Sequence, residues 1–238
     1  MNSHKDTAVS ASLRKALKRG LARQAMQCAE REQAEISEII SELRGRPLGE
    51  KARTRLARRL RNRAGVVRAA MTPDLKSIIL VLRNVRNVLT RSDGVDLFSE
   101  PQLVYTRLVV TSGRTLIRFA IDRISFCAHA LERLVERSSC GLSFFLDVVD
   151  QEASRLLRWI ASDRVLHESG DCYLGCEHGV WAGSLDEAEP EPGWFLRVDP
   201  EARRMPIFSI RTYLGEAQMK PLVWLLWQES RKTKAMSA

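Results

Sequence analysis

The chain has 238 residues, 45% of them hydrophobic, which suits one large packed domain or two small ones and excludes disordered and collagen-like classes. No run approaches the roughly 20 apolar residues of a bilayer span, and residues 1–24 carry no continuous apolar stretch of the kind a secretory signal needs. Thirty-eight Lys+Arg against 29 Asp+Glu leave a formal charge of +9, so the first partner to expect is RNA or another polyanion.

Charge and aromatic content divide the chain. Residues 1–70 carry 17 Lys+Arg and 7 Asp+Glu, a net of +10, and the remainder carries a net of −1. All 15 aromatic residues lie from Phe98 onward. The first part therefore reads as a basic all-helical module over residues 1–95, with a core of aliphatic side chains. Apolar residues recur at helical spacing from Ser10 to Leu43, and Gly45 and Pro47 interrupt them. A second helix is expected from Gly49 to Met71. Within it, Lys51, Arg53, Arg55, Arg58, Arg59, Arg61 and Arg63 place seven cations in 13 residues with no acid. Such a helix suits a nucleic-acid backbone; without aromatics, recognition there would be charge-driven. Thr72-Pro73-Asp74 reads as a helix start, with a third helix running through Ile78, Ile79, Val81, Leu82 and Val85 to Leu89. A boundary is expected near Arg91–Gly94.

Residues 96–238 read as an α+β domain with a mostly antiparallel sheet. Gln102–Thr111 and Thr115–Ile124 flank Ser112-Gly113 as a hairpin. Helices are expected at Ala128–Arg137 and Leu142–Ser162. Short strands follow at Asp171–Cys176, Val180–Leu185, Trp194–Val198 and Pro206–Tyr213, and a helix at Glu216–Ser230.

The stretch with the clearest chemistry is Ser125-Phe-Cys-Ala-His129-Ala-Leu-Glu-Arg133-Leu-Val-Glu-Arg137. On a helix His129, Arg133 and Arg137 share one face. An imidazole can pass a proton and guanidinium groups stabilise charge on phosphate oxygens, a combination suited to phosphodiester cleavage. The bland alternative is a solvated basic face. The pattern S-x3-H-A-x2-R-x3-R, followed by a helix and by strands ending in Ile210-Arg211-Thr212-Tyr213-Leu214, resembles small bacterial toxin-type domains of the barnase/EndoU/colicin/RelE group of RNA-cutting folds. The resemblance implies a metal-independent endoribonuclease. His129 would be general acid or base, Arg133 a phosphate stabiliser and Thr212 a phosphate or 2′-OH contact, with Arg137 and Ser125 supporting. It also leaves room for an inhibitor or partner protein. The competing reading is a non-enzymatic nucleic-acid-binding or regulatory protein using the same surfaces.

Other residues carry weaker signals. Arg123-x5-His129 matches the loose spacing of the all-helical HEPN ribonucleases, but Arg123 falls in a strand-forming stretch. His167, Cys172, Cys176 and His178 are four possible zinc ligands at a non-standard spacing. Five cysteines, an odd count at irregular spacing, argue against a disulfide framework and for a reducing, cytoplasmic setting. Asp147 and Asp150 read as a wet helix face, and Trp181 as core or as a base-stacking ring. No glycine-rich phosphate loop, nucleophile elbow or dinucleotide fingerprint occurs, so no cofactor and no metal are expected.

Overall fold

The run Ile78-Ile79-Leu80-Val81-Leu82 does not form the expected helix. In the computed structural model, which describes residues 3–43, 48–92, 95–112, 117–161, 165–168, 171–188 and 205–235, it forms the first part of a long strand. The strand is buried on both faces: Ile78, Leu80 and Leu82 pack on one side and Val81 on the other. A strand buried on both faces reads as a continuous apolar run, which periodicity alone does not separate from a helix. Thr72 and Asp74, the expected helix start, instead close a turn. Ser77 N donates to Thr72 Oγ1 at 3.0 Å and Lys76 N to the Asp74 carboxylate at 3.1 Å, while Leu75 takes a left-handed φ of 56°.

The described elements run α1 (Ser3–Arg31), α2 (Ile36–Leu43), α3 (Glu50–Leu60), β1 (Val66–Met71), β2 (Ser77–Ser92), β3 (Val95–Ser112), β4 (Ile117–Phe126), α4 (Ala128–Arg137), α5 (Phe145–Ile160), β5 (Leu166–Glu168), β6 (Asp171–Gly175), β7 (Val180–Ala188), β8 (Met205–Leu214), a 3-10 turn (Glu216–Gln218) and α6 (Pro221–Ala235). The expected strand at Trp194–Val198 lies outside the described residues. The fold is α+β. One eight-stranded sheet in the order β1-β2-β3-β4-β8-β7-β6-β5 carries every strand among the described residues. Every neighbouring pair is antiparallel except β4–β8, where Ile124 pairs with Phe208 and Phe126 with Ile210.

Residues 1–95 are therefore not an all-helical module. They hold α1–α3 but also β1 and β2, and β2 pairs with β3 from Ser77↔Thr111 to Ser92↔Val95. The expected boundary falls at the tip of this hairpin, so both halves of the chain share one sheet. The second expected helix stops at Leu60, and at Gly65 (φ 68°), just ahead of β1, the chain runs so close to the segment before α2 that a Cβ there would lie 2.1 Å from Ala34 N.

Helices α1, α4 and α5 cover one sheet face. Ala22, Ala25 and Ala29 let α1 pack closely beside Leu131 and Leu134 of α4, over Leu103, Ile124 and Phe126. An aromatic row, Tyr105–Phe126–Trp181–Tyr213, runs through this layer with edge-to-face centroid separations of 5.8, 5.0 and 4.9 Å. Trp181 is thus a core ring, and its Nε1 donates to Glu152. On the opposite face, α2 and α3 seat Ile36, Ile39, Leu56 and Leu60 on Ile78, Leu80 and Leu108, and α6 seats Val223 and Trp227 on Tyr173 and Val180.

Candidate polyanion site

Helix α4 forms where its sequence places it. Cys127 caps it, accepting from Ala130 N at 3.4 Å, and Ala130, Leu131, Leu134 and Val135 are buried. His129 is exposed and Arg133 and Arg137 are half-buried on the outer side. Arg133 Nε donates to His129 Nε2 at 3.2 Å, so that nitrogen carries no proton in this arrangement and its lone pair is already engaged. Arg133 also pairs with Glu136, and Lys18 of α1 reaches the same carboxylate at 2.9 Å. The Lys18 hydrogen bond, with help from Arg133, holds the Glu136 carboxyl below its usual range. Arg14 of α1 donates to Cys140 O at 2.6 Å. The cations of α1, Arg14 and Lys18, thus dock it on α4 and the segment that follows, and Arg133 shares the Glu136 carboxylate with Lys18. Arg137 donates to Tyr213 O at 2.8 Å, and together Arg133, Glu136, Arg137 and residues Gly215–Gln218 line an open pocket of about 470 Å³.

The two expected hydroxyl partners are elsewhere. Thr212 pairs with Ala182, on the face opposite that of Trp181 and Tyr213, against which α4 packs. Simple alternation along β8 is broken by a bulge between Ala182 and Gly183, which leaves Arg211 as the extra residue. Gly183 permits the close approach, since a Cβ there would lie 2.0 Å from Ser209 O. Ser125 is fully buried, also on the face away from α4, beside Val104 and Ser209. His129, Arg133 and Arg137 are brought together; Thr212 and Ser125 are not brought to them. Arg123, of the HEPN-like spacing, is buried on that same far face and donates to Ala188 O.

The Arg-rich segment divides into two groups. Arg53 donates to Leu48 O and Leu75 O at 2.6 and 2.8 Å, while Arg59 and Arg63 pair with Glu42 of α2. These three guanidiniums tie α3 to its surroundings. Lys51, Arg55, Arg58 and Arg61 are exposed and have no ion-pair partner among the described residues. Lys51, Arg55 and Arg58, at i, i+4 and i+7, share the face opposite Leu56 and Leu60. At 1.5 Å per residue they span about 10 Å, comparable with three nucleotides of a strand at about 3.4 Å each.

Of the suggested zinc ligands, Cys172 and Cys176 are buried, and burial pushes both thiols up. Cys176 Sγ lies 3.5 Å from Tyr213 OH. His178 is exposed, and the His167 side chain is outside the described residues. Among the described residues no three His, Cys, Asp or Glu side chains come together as a metal site.

Sequence reasoning missed Asp150, which is not part of a wet face. It accepts from Arg83 at 2.5 Å and from Tyr105 OH at 2.6 Å. Arg83, which directly follows the apolar run Ile78–Leu82, was the available signal, since a charge buried on an interior strand needs a partner. No family model, no curated protein and no solved structure matches the chain.

Proposed function

We propose that the chain is a non-catalytic nucleic-acid-binding protein that holds a phosphate backbone along α3. The observation that carries this reading is the row Lys51, Arg55 and Arg58, exposed, regularly spaced and uncompensated by any described carboxylate. Each phosphate that the row neutralises releases condensed counterions, so affinity for a short RNA duplex should fall linearly on a log–log plot against salt. With three to four contacts the expected slope is about −2 to −4. Fluorescence anisotropy between 50 and 200 mM salt measures it; a flat line, or no binding at low salt, would overturn the reading.

A second reading, the metal-independent endoribonuclease, is favoured by one observation: an exposed imidazole, His129, beside a pocket that holds Arg133 and Arg137. For His129 to act as a base, Arg133 would have to release its Nε2, and a hydroxyl other than Thr212 or Ser125 would have to assist. The enzyme reading expects purified protein to cut RNA and His129→Ala to lose at least about 100-fold of that rate. Equal RNA decay with both proteins would leave binding alone.

A further inference from the structure

Beside the C-terminal end of α3 lies a second cleft, of about 630 Å³, between the edge strand β1 and helix α5. Arg61, the free cation at the end of α3, lines it, as do Arg68 of β1 and Asp147 of the first turn of α5. These charges face the same space without touching. Among the described residues, neither Arg61 nor Arg68 has a carboxylate within ion-pair distance, and Asp147 has no cation. The other acid of the cleft, Asp150, is already committed to Arg83 and Tyr105. The cleft therefore presents two guanidiniums without a carboxylate partner, Arg61 and Arg68, on one side; on the α5 side it presents the unpaired Asp147 carboxylate beside Gln151, Ser154 and Arg158, the last already engaged in an interaction of its own. Val67 and Ala70 supply apolar surface between them.

A ligand that satisfies both sides must carry an anion at one end and N–H donors at the other. A single nucleotide does so: its phosphate suits paired Arg side chains, and a base edge bearing N–H groups suits a carboxylate. The volume lies within the range of sites that enclose small ligands. Because Arg61 belongs to both surfaces, a strand held along α3 ends at the mouth of this cleft. We infer that the β1–α5 cleft accepts one unpaired nucleotide at the end of a bound strand, its phosphate on Arg61 and Arg68 and its base edge on Asp147. Guanine, which offers adjacent N1–H and N2–H donors, fits a carboxylate better than uracil with its single N3–H. This inference rests on the reading of α3 as a backbone-binding helix.

The test uses the full chain and three RNA duplexes: blunt, with one unpaired 3′ guanosine, and with one unpaired 3′ uridine, each labelled at the far end for anisotropy. The guanosine overhang should bind about tenfold tighter than the blunt duplex, with uridine between them. Ala70→Trp, which fills the cleft, and Asp147→Asn, at an exposed position, should each bring the overhang back to blunt affinity without changing blunt affinity. Blunt and overhanging duplexes binding alike, or a preference that survives both variants, would overturn the cleft inference and leave α3 standing. No binding of any duplex would remove the reading of α3, and the cleft inference with it.

Discussion

Arg83→Leu should destabilise the fold by about 3–5 kcal/mol, the usual cost of leaving one member of a buried ion pair uncompensated. The Arg83 side chain is only 7% exposed and joins β2 to α5 through Asp150, with Glu32 at 3.5 Å as an outer contact. Burial already raises the Asp150 carboxyl above its ordinary value of 3.8, against the opposing pull of Arg83 and Tyr105. Without Arg83 that opposition weakens and the folded-state value rises further. A raised carboxyl favours the protonated form in the folded state, so the stability it supports is present at low pH and lost as pH rises through the folded value. The deficit of Arg83→Leu relative to wild type should therefore be full at pH 7 and shrink as pH falls toward 4. Urea unfolding across that range reads it directly. Arg83→Leu combined with Asp150→Leu and Tyr105→Phe should recover most of the loss, because the three replacements remove the unpaired charge without leaving the buried Tyr105 hydroxyl unpartnered. A single-variant cost below about 1 kcal/mol, or a deficit that does not change with pH, would show that the pair is not the tie between β2 and α5.

Reversing three charges on α3, Lys51→Glu, Arg55→Glu and Arg58→Glu together, should lower affinity for duplex RNA by about two orders of magnitude or more near 0.1 M salt. It should also flatten the salt slope by about 2 to 3. The fold should be spared, since all three side chains are exposed and leave the packing of Leu56 and Leu60 untouched. Reversal of Arg59 and Arg63 should behave differently. Their guanidiniums meet Glu42, so the change sets three acids against one another between α2 and α3. Thermal unfolding separates the two outcomes: an unchanged melting temperature with lost binding identifies the phosphate-facing row, and a lowered one identifies the structural pair.

Much of the second half was legible because its signals are local. The β3–β4 hairpin, with register Leu103↔Phe126 through Ser112↔Ile117, follows from strand-forming residues around a turn. Helix α4 follows from its apolar spacing, which also puts His129, Arg133 and Arg137 on one side. The failures have equally specific causes. Strand β2 lies between two helix layers, so both its faces are apolar and the period-2 signal disappears. Thr212 was expected on the α4 face, but one extra residue at the Gly183 bulge shifts the side-chain alternation of β8. Asp150 looked solvated because its partners lie 67 and 45 residues away.

What the amino-acid sequence determined by itself was the excess of cations in the first 70 residues, the helical face bearing His129, and the α+β class. Each is a property of composition, of spacing within one element or of the order of elements along the chain, and none depends on which element packs against which. The tertiary structure decided which of the seven cations between Lys51 and Arg63 remain open to a partner, on which face each hydroxyl lies, and that the two halves share one sheet. Those outcomes depend on long-range neighbours: Glu42 neutralises Arg59 and Arg63, Leu75 O holds Arg53, and β3 pairs with β2. A charge is free for binding only when folding leaves it without a counter-charge, and that is settled by packing.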